Sequence, residues 1–106
     1  MNKQFIIKKS DEIAYIVKTG KKSVSEFFII YNIESNKDYN QYCISVSKKL
    51  GKAHIRNKIK RRVKDILMKN RIDLSKKCVI IIRKEAVEAS YEDLKEILIK
   101  QIKGDK

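Results

Sequence analysis

The residues with the clearest chemical potential form one basic segment, KKLGKAHIRNKIKRRVK, at positions 48–64. The segment holds nine lysines or arginines, one histidine and no acid. Of the net charge of +13, an excess of +9 falls in these 17 residues, whereas residues 1–47 and 65–106 carry only +2 each. Such a local concentration of cations is typical of a surface that binds a phosphate backbone.

No recognisable set of catalytic side chains accompanies these cations. The acids fall in expected helix starts and turns, and His54 is the only histidine, which favours a structural role or a minor RNA contact. Neither a carboxylate cluster for a metal ion nor a pair of histidines for acid–base catalysis is therefore expected. Cys43 and Cys78 lie far apart in apolar segments, which favours buried free thiols over a zinc site. The sequence predicts recognition rather than hydrolysis by the polypeptide.

The basic segment is predicted to lie on a helix. Apolar residues recur in and just after it at intervals of three and four, which gathers them within an arc of about 120°. The isoleucines would thus anchor the helix on a sheet while the charges face outward. Arg56 and Arg62 lie at the borders of the arc, and the side chains that point away from it are Asn57, Lys58, Lys60, Arg61 and Lys64. Gly51 lies in the loop before the helix. The anchoring residues are Ile55, Ile59, Val63, Ile66 and Leu67.

Strands are predicted on both sides of this helix. Residues 26–33 (EFFIIYNI) are rich in aromatic and β-branched residues, and residues 42–47 (YCISVS) alternate in polarity. A polar turn separates the two segments, so they are expected to pair antiparallel. A shorter strand near residues 22–24 is weakly signalled. Residues 79–82 (VIII) form a continuous apolar run, which is typical of a strand buried on both faces.

A helix at each end completes the pattern. The first is predicted to start at Ser10, whose hydroxyl would cap it, and to stop at Gly20. The last starts at Ser90, whose hydroxyl can pair with Asp93 in a capping box. The order α-β-β-α-β-α, with a possible extra short strand, predicts an α/β (α+β) two-layer sandwich. The 106 residues suffice for a single domain spanning residues 1–106.

The predicted location is the cytoplasm. No stretch approaches the roughly 20 apolar residues that a membrane-spanning helix needs. The N-terminal sequence MNKQFIIKK has neither a long apolar run nor a small-residue cleavage site, so no signal peptide is predicted. These features favour a soluble protein in a reducing compartment.

Several partners could meet the basic helix. Binding to a membrane surface would require free apolar residues, but Ile55, Ile59 and Val63 are needed for the core. A helix that reads DNA usually comes with a second, closely joined helix, whereas strands flank this one. A solvated charged face without a partner is unusual for nine bases that have no compensating acid. RNA is the favoured partner.

The central motif supports this interpretation. SVSKKLGKA at positions 45–53, followed by RNKIKR at positions 56–61, resembles the signature of the bacterial ribonuclease P protein subunit. That signature is a strand ending S-V-S-K-K-x-G-x-A and then a helix with R-N-R-x-K-R-x-x-R. The resemblance covers about residues 8–103, including the run IIIRK at positions 80–84.

The resemblance implies both a fold and a function. The fold would be an α/β sandwich whose central helix joins two parallel strands by a left-handed crossover, against the general rule. The chain would be the non-catalytic subunit of a ribozyme that removes the 5′ leader of precursor tRNA. Its partners would be the ribonuclease P RNA and that leader, with no membrane or protein partner. Magnesium would be held mainly by the RNA, and no cofactor by the protein.

The resemblance also implies two functional surfaces. A leader cleft between the sheet and the first helix would include Tyr31, Ile13 and Val17. Many relatives carry phenylalanine where Ile13 and Val17 lie, so stacking on a base would depend on Tyr31. Lys58 and Lys64 replace arginines, which keeps the charge and loses the bidentate guanidinium. The RNA-binding surface would comprise Lys48, Lys49, Lys52, Arg56, Asn57, Lys58, Lys60, Arg61, Arg62 and Lys64.

Two other functions stay open. A ribosomal or other structural RNA-binding protein would have a similar size and charge, although the central motif disfavours it. A nuclease that acts without an RNA subunit is the second alternative, and it would have to cleave precursor tRNA by itself.

Overall fold

The structure, a computed structural model, describes residues 3–104. Within them the predicted α-β-β-α-β-α order is confirmed, and the weakly signalled extra strand is present. Short 3₁₀ turns lie at Lys3–Phe5, Lys48–Leu50 and Lys84–Glu88. The helices and strands are α1 (Ser10–Thr19), β1 (Lys21–Val24), β2 (Phe28–Glu34), β3 (Gln41–Val46), α2 (Ala53–Lys69), β4 (Lys76–Ile82) and α3 (Tyr91–Lys103).

The four strands form one sheet in the order β1-β2-β4-β3. β2 is antiparallel to both β1 and β4, and β3 is parallel to β4. The predicted direct pairing of the second and third strands is therefore wrong, because β4 lies between them. β4 is the most buried strand, and its central position covers both of its edges.

Asn40 holds β4 in this position. Its side chain is buried, and its Oδ1 accepts hydrogen bonds from the backbone N–H groups of Leu74 and Lys76, both at 3.0 Å. The chain after β2 thus passes over the start of β4 instead of folding back as a hairpin. β3, α2 and β4 then form a parallel crossover unit, and its left-handed sense stays a prediction.

One face of the sheet carries the main core, which α2 and α3 cover. Phe28, Ile30 and Ile80 are fully buried there. Helix α3 begins as predicted, since the Ser90 hydroxyl accepts a hydrogen bond from the Asp93 backbone N–H at 3.1 Å. Cys78 belongs to this core, and burial raises its pKa to about 12. It is therefore a protonated, buried thiol, as predicted.

The other face is partly covered by α1, which packs through the buried Ile16 against Ile7 and Val79. The predicted Ser10 cap is wrong, because the N-cap position is Lys9 and it makes no side-chain capping bond. The helix does end before Gly20, in extended backbone. A Cβ at Gly20 would lie 2.6 Å from the Ile16 carbonyl oxygen and 2.8 Å from that of Asn32, so the close approach of α1 and β2 requires glycine here.

Among residues 3–104, none of the helices combines the length and the apolar character that crossing a membrane would require.

Candidate nucleic-acid interface

The loop between β3 and α2 presents the first cations of the basic segment. The Ser47 hydroxyl accepts a hydrogen bond from the Lys49 backbone N–H at 3.2 Å and starts the 3₁₀ turn. Gly51 follows with φ of 138°, a conformation that favours glycine. The loop thereby turns into α2 while the side chains of Lys48, Lys49 and Lys52 stay exposed.

Helix α2 is anchored as its apolar spacing predicts. Ile59, Val63, Ile66 and Leu67 are buried against the sheet, and Ile55 is half-buried at the start of the helix. Because the apolar arc faces the core, the remaining positions of the helix face solvent or its two flanks. The exposed side chains include Asn57, Lys58 and Arg61, whereas Arg56, Lys60, Arg62 and Lys64 are half-buried.

None of the nine cations of the basic segment forms an ion pair with any acid in the part of the chain that the structure describes. Five ion pairs occur there, and every one uses a cation from another region. The cations of these pairs are Lys69, Arg71, Lys77, Arg83 and Lys100. The basic segment therefore presents an uncompensated positive surface.

The half-buried cations fall on two flanks of α2. Lys60 and Lys64 face the edge of β3, where they line a cavity of about 160 Å³ with Cys43 and Ile44. Burial raises the pKa of the Cys43 thiol, and the nearby Lys60 ammonium opposes this increase. Arg62 lies on the opposite flank, toward the turn that precedes α3.

Arg56 has a different environment from the other cations. Its Nε is buried and has no hydrogen-bond partner within residues 3–104. An unsatisfied buried donor costs about 1–3 kcal/mol. A rotation of the guanidinium toward an acceptor outside the protein would recover part of that energy.

The predicted cleft residues lie on the other face of the sheet. Tyr31 on β2 is half-buried, and both it and Ile13 pack against the cluster around Ile16. Val17 is 38% exposed and lies outside that cluster. The structure therefore brings Ile13 and Tyr31 together and leaves Val17 at the rim, where an apolar contact is available.

Lys22 is a residue of this face that the sequence analysis missed. It pairs with Tyr31 across β1 and β2, and its Nζ lies 5.8 Å from the centroid of the Tyr31 ring. A cation beside an aromatic ring suits a nucleotide, whose phosphate and base need different partners. The position of Lys22 beside Tyr31 follows only from the register of β1 with β2. The sequence indicated β1 weakly, so it could not predict this register.

An ion pair fixes α1 at the side of this face. The Lys77 ammonium on β4 binds the Glu12 carboxylate at the start of α1, and both side chains are half-buried. The pair ties the helix to the central strand next to the cluster of Ile16 and Val79. Within residues 3–104, no group of three or more His, Cys, Asp or Glu side chains could hold a metal ion.

Comparison with known proteins gives a consistent result. The family model described as Ribonuclease P matches residues 1–104. The chain is 39% identical over 102 residues to the ribonuclease P protein component of Bacillus cereus, covering 93% of this chain and 89% of that protein. The same identity is found with the corresponding protein of Bacillus anthracis, of which 86% is covered.

Solved structures agree with this result. A mutant RNase P protein of Staphylococcus aureus, with defective mRNA degradation activity, superimposes with a TM-score of 0.87 at 30% identity. The alignment covers 96% of this chain and 90% of that one. The RNase P protein of Thermotoga maritima superimposes with a TM-score of 0.82 at 30% identity, covering 90% of this chain and 92% of the other.

Proposed function

This chain belongs to the ribonuclease P protein family, the protein components of an RNA-binding endoribonuclease of tRNA processing, and we propose that it binds both the catalytic RNA and the 5′ leader of precursor tRNA. The basic loop and α2 bind the RNA subunit, and the face beneath α1 binds the leader. The RNA and its magnesium ions carry out the hydrolysis. The proposed place of action is the cytoplasm.

The uncompensated charge of α2 is the observation that carries the RNA-binding half of this proposal. Like charges four residues apart on a helix cost about 0.2–0.5 kcal/mol per pair. The series Arg56, Lys60 and Lys64 repeats this unfavourable spacing, and none of the three cations belongs to an ion pair within residues 3–104. A phosphate backbone supplies the missing negative charge, and its release of bound counterions favours the complex.

The assignment of residues follows from exposure. Six polar side chains of the surface are exposed and can reach phosphates directly, and the four half-buried cations can extend from the flanks of the helix. The proposed RNA-binding residues are Lys48, Lys49, Lys52, Arg56, Asn57, Lys58, Lys60, Arg61, Arg62 and Lys64.

The leader-binding half rests on Tyr31 and its neighbours. A half-buried aromatic ring on a sheet face can stack on an unpaired base. Lys22 beside the ring provides a cation for the adjoining phosphate. Ile13 and Val17 supply apolar contact only, so Tyr31 would account for most of the stacking.

Reconstitution tests the proposal as a whole. Precursor tRNA is incubated at near-physiological magnesium concentration with the cognate RNA subunit, with and without this protein. We expect the protein to increase the rate of leader removal, and the protein without RNA to cleave nothing. Cleavage by the protein alone would instead make the polypeptide the catalyst.

A matched pair of variants controls for nonspecific charge. Arg61→Gln on α2 should reduce the increase in rate, whereas Lys95→Gln on α3 removes a charge of the same sign outside the proposed surface and should leave the rate unchanged. If the protein has no effect on cleavage and instead recovers ribosomal RNA from a cell extract, it is a structural RNA-binding protein.

The leader contact has its own test. Replacing Tyr31 with alanine should weaken holoenzyme binding to leader-bearing tRNA by about 1–3 kcal/mol, the value of one stacked base. Binding of mature tRNA, measured in parallel, should not change. Equal losses for both RNAs would mean that Tyr31 only stabilises the fold.

A further inference from the structure

Lys, Arg and His side chains on α2 form two rows on opposite flanks of the helix. Lys60 and Lys64 line the cavity beside β3, and with Arg56 one turn earlier they form what is called here the β3-side row. His54, Lys58 and Arg62 form a second row at the same four-residue spacing, called here the α3-side row. At 100° per residue, corresponding members of the two rows lie about 160° apart around the helix.

The α3-side row borders a groove of its own. This groove has a volume of about 260 Å³, far more than the roughly 30 Å³ that one water occupies in the liquid. Its floor is apolar and its rim is cationic. The lining residues are His54, Ile55, Lys58, Ile59, Arg62 and Val87.

A second hollow adjoins this groove because it shares Lys58 and Arg62 with it. The hollow measures about 330 Å³ and ends at Asp65 and Tyr91. The Tyr91 hydroxyl donates a hydrogen bond to Asp65 Oδ2 at 2.7 Å, and the Lys69 ammonium lies 3.4 Å from the same oxygen. Both contacts weaken the repulsion that the Asp65 carboxylate, which lines the hollow, would exert on an anion.

The chemistry of the groove suits one nucleotide of a larger RNA. The apolar floor of Ile55, Ile59 and Val87 can cover a base or a sugar. The Lys58 and Arg62 side chains at the rim can bind its phosphate, and Arg62 can do so with two parallel hydrogen bonds.

The two rows cannot follow the same stretch of backbone. An α-helix with its side chains is about 10–12 Å across, and its inner side is occupied by the core. A strand that binds Lys60 and Lys64 at the β3 edge therefore leaves the α3-side groove free. We propose that this groove binds a second, separate segment of the RNA subunit, so that α2 lies between two RNA backbones. This inference rests on the proposed function.

Hydroxyl-radical footprinting of the cognate RNA subunit provides the test. Two double variants of the full-length protein remove two charges each from α2 at the same spacing, Lys58→Gln with Arg62→Gln and Lys60→Gln with Lys64→Gln. Saturating protein is used for the footprints, and affinity is measured as a function of salt. We expect each variant to lose protection over a different RNA segment, and the log–log salt slope to fall by about 1.4–1.8 in each.

The outcomes separate this inference from the function on which it rests. Loss of the same segment in both variants, or a wild-type footprint for the α3-side variant, would overturn the inference while the function stands. An RNA subunit that the wild-type protein does not protect at all would overturn both.

Folding of the variants needs a control because Arg62 is half-buried. Thermal unfolding should show a cooperative transition for each variant. The variant His54→Gln with Lys58→Gln spares Arg62 and should lose protection over the same segment as the α3-side variant. If neither this variant nor the variant Lys58→Gln with Arg62→Gln loses any protection, RNA does not bind in the α3-side groove.

Discussion

Helices α2 and α3 pack on the same face of the sheet, yet their polar sides are built differently. In α3 the Ser90 cap, the acids Glu92 and Asp93 in the first turn and the cations of the last turn all complement the helix dipole. In α2 the N-cap is Lys52, no side chain caps the N-terminus, and the first turn contains no acid. Each helix buries four residues against the sheet, so the contrast lies in the N-terminus and the polar side that α2 presents.

Local stability is therefore lower in α2 than its length of 17 residues would allow. A missing cap costs about 0.5–2 kcal/mol and an unfavourable charge near the helix start about 0.3–1 kcal/mol. Four buried apolar residues compensate for these costs. α3 shows that the same fold can carry a well-capped helix, which supports a binding role for the exposed side of α2.

The largest expected effect is a loss of stability when a buried apolar residue of either helix is replaced. Ile59→Asp in α2 and Leu98→Asp in α3 each place an unpaired charge in the core, so both should lose the fold or most of its stability. Chemical denaturation monitored by circular dichroism would measure the effect. A cooperative transition with an unchanged midpoint in Ile59→Asp would show that the apolar side of α2 is not its anchor.

RNA affinity should distinguish the two helices. Arg61→Gln removes a charged hydrogen bond to phosphate, which is worth about 1.5–3 kcal/mol, and should reduce the log–log salt slope by about 0.7–0.9. Lys95→Gln in α3 should change neither quantity. Equal losses in the two variants would mean that RNA binds through net charge rather than through the surface of α2.

Changing the N-cap residue should change the free energy of unfolding in opposite directions for the two helices, because one substitution removes a cap and the other adds one. Ser90→Ala removes the cap of α3 and should lower the free energy of unfolding by about 1 kcal/mol. Lys52→Ser adds a cap where the backbone already has the extended conformation of an N-cap (φ −66°, ψ 161°), so it should raise that free energy by a similar amount. The same substitution should weaken RNA binding, and unchanged binding would remove Lys52 from the interface.

The smallest expected effects are the changes in stability caused by single surface charges, which salt should abolish. Glu96→Gln in α3 breaks the ion pair with Lys100, whose atoms lie 3.4 Å apart, and should lower stability by about 0.2–0.5 kcal/mol. Lys60→Gln in α2 relieves repulsion from Arg56 and Lys64 and should raise stability by a comparable amount. Both changes should vanish at 1 M salt, where the Debye length is about 3 Å.

Local patterns in the sequence predicted the features that depend on local spacing. The helical phase of Ile59, Val63, Ile66 and Leu67 identified the buried side of α2, and the Ser90 motif identified the start of α3. Both signals involve residues within a few positions of each other, for which the geometry of a helix is sufficient. The outward orientation of the cations follows from the first of them.

Local sequence patterns did not predict the features that depend on contacts between residues far apart in the chain. The antiparallel pairing expected for residues 26–33 and 42–47 failed because the better partner of both strands comes more than 30 residues later, in β4. The contact between Lys22 and Tyr31 depends on the register of β1 with β2. The α3-side groove requires Val87, from a turn that no local pattern connects with α2.

The central position of β4 has a consequence for the order of folding. When a ribosome has synthesised only the first 75 residues, β2 and β3 have no neighbour between them, so neither can complete its backbone hydrogen bonds. We expect the nascent chain to stay open until residues 76–82 have been made and β4 can pair with both β2 and β3, which delays assembly with RNA until that strand is in place.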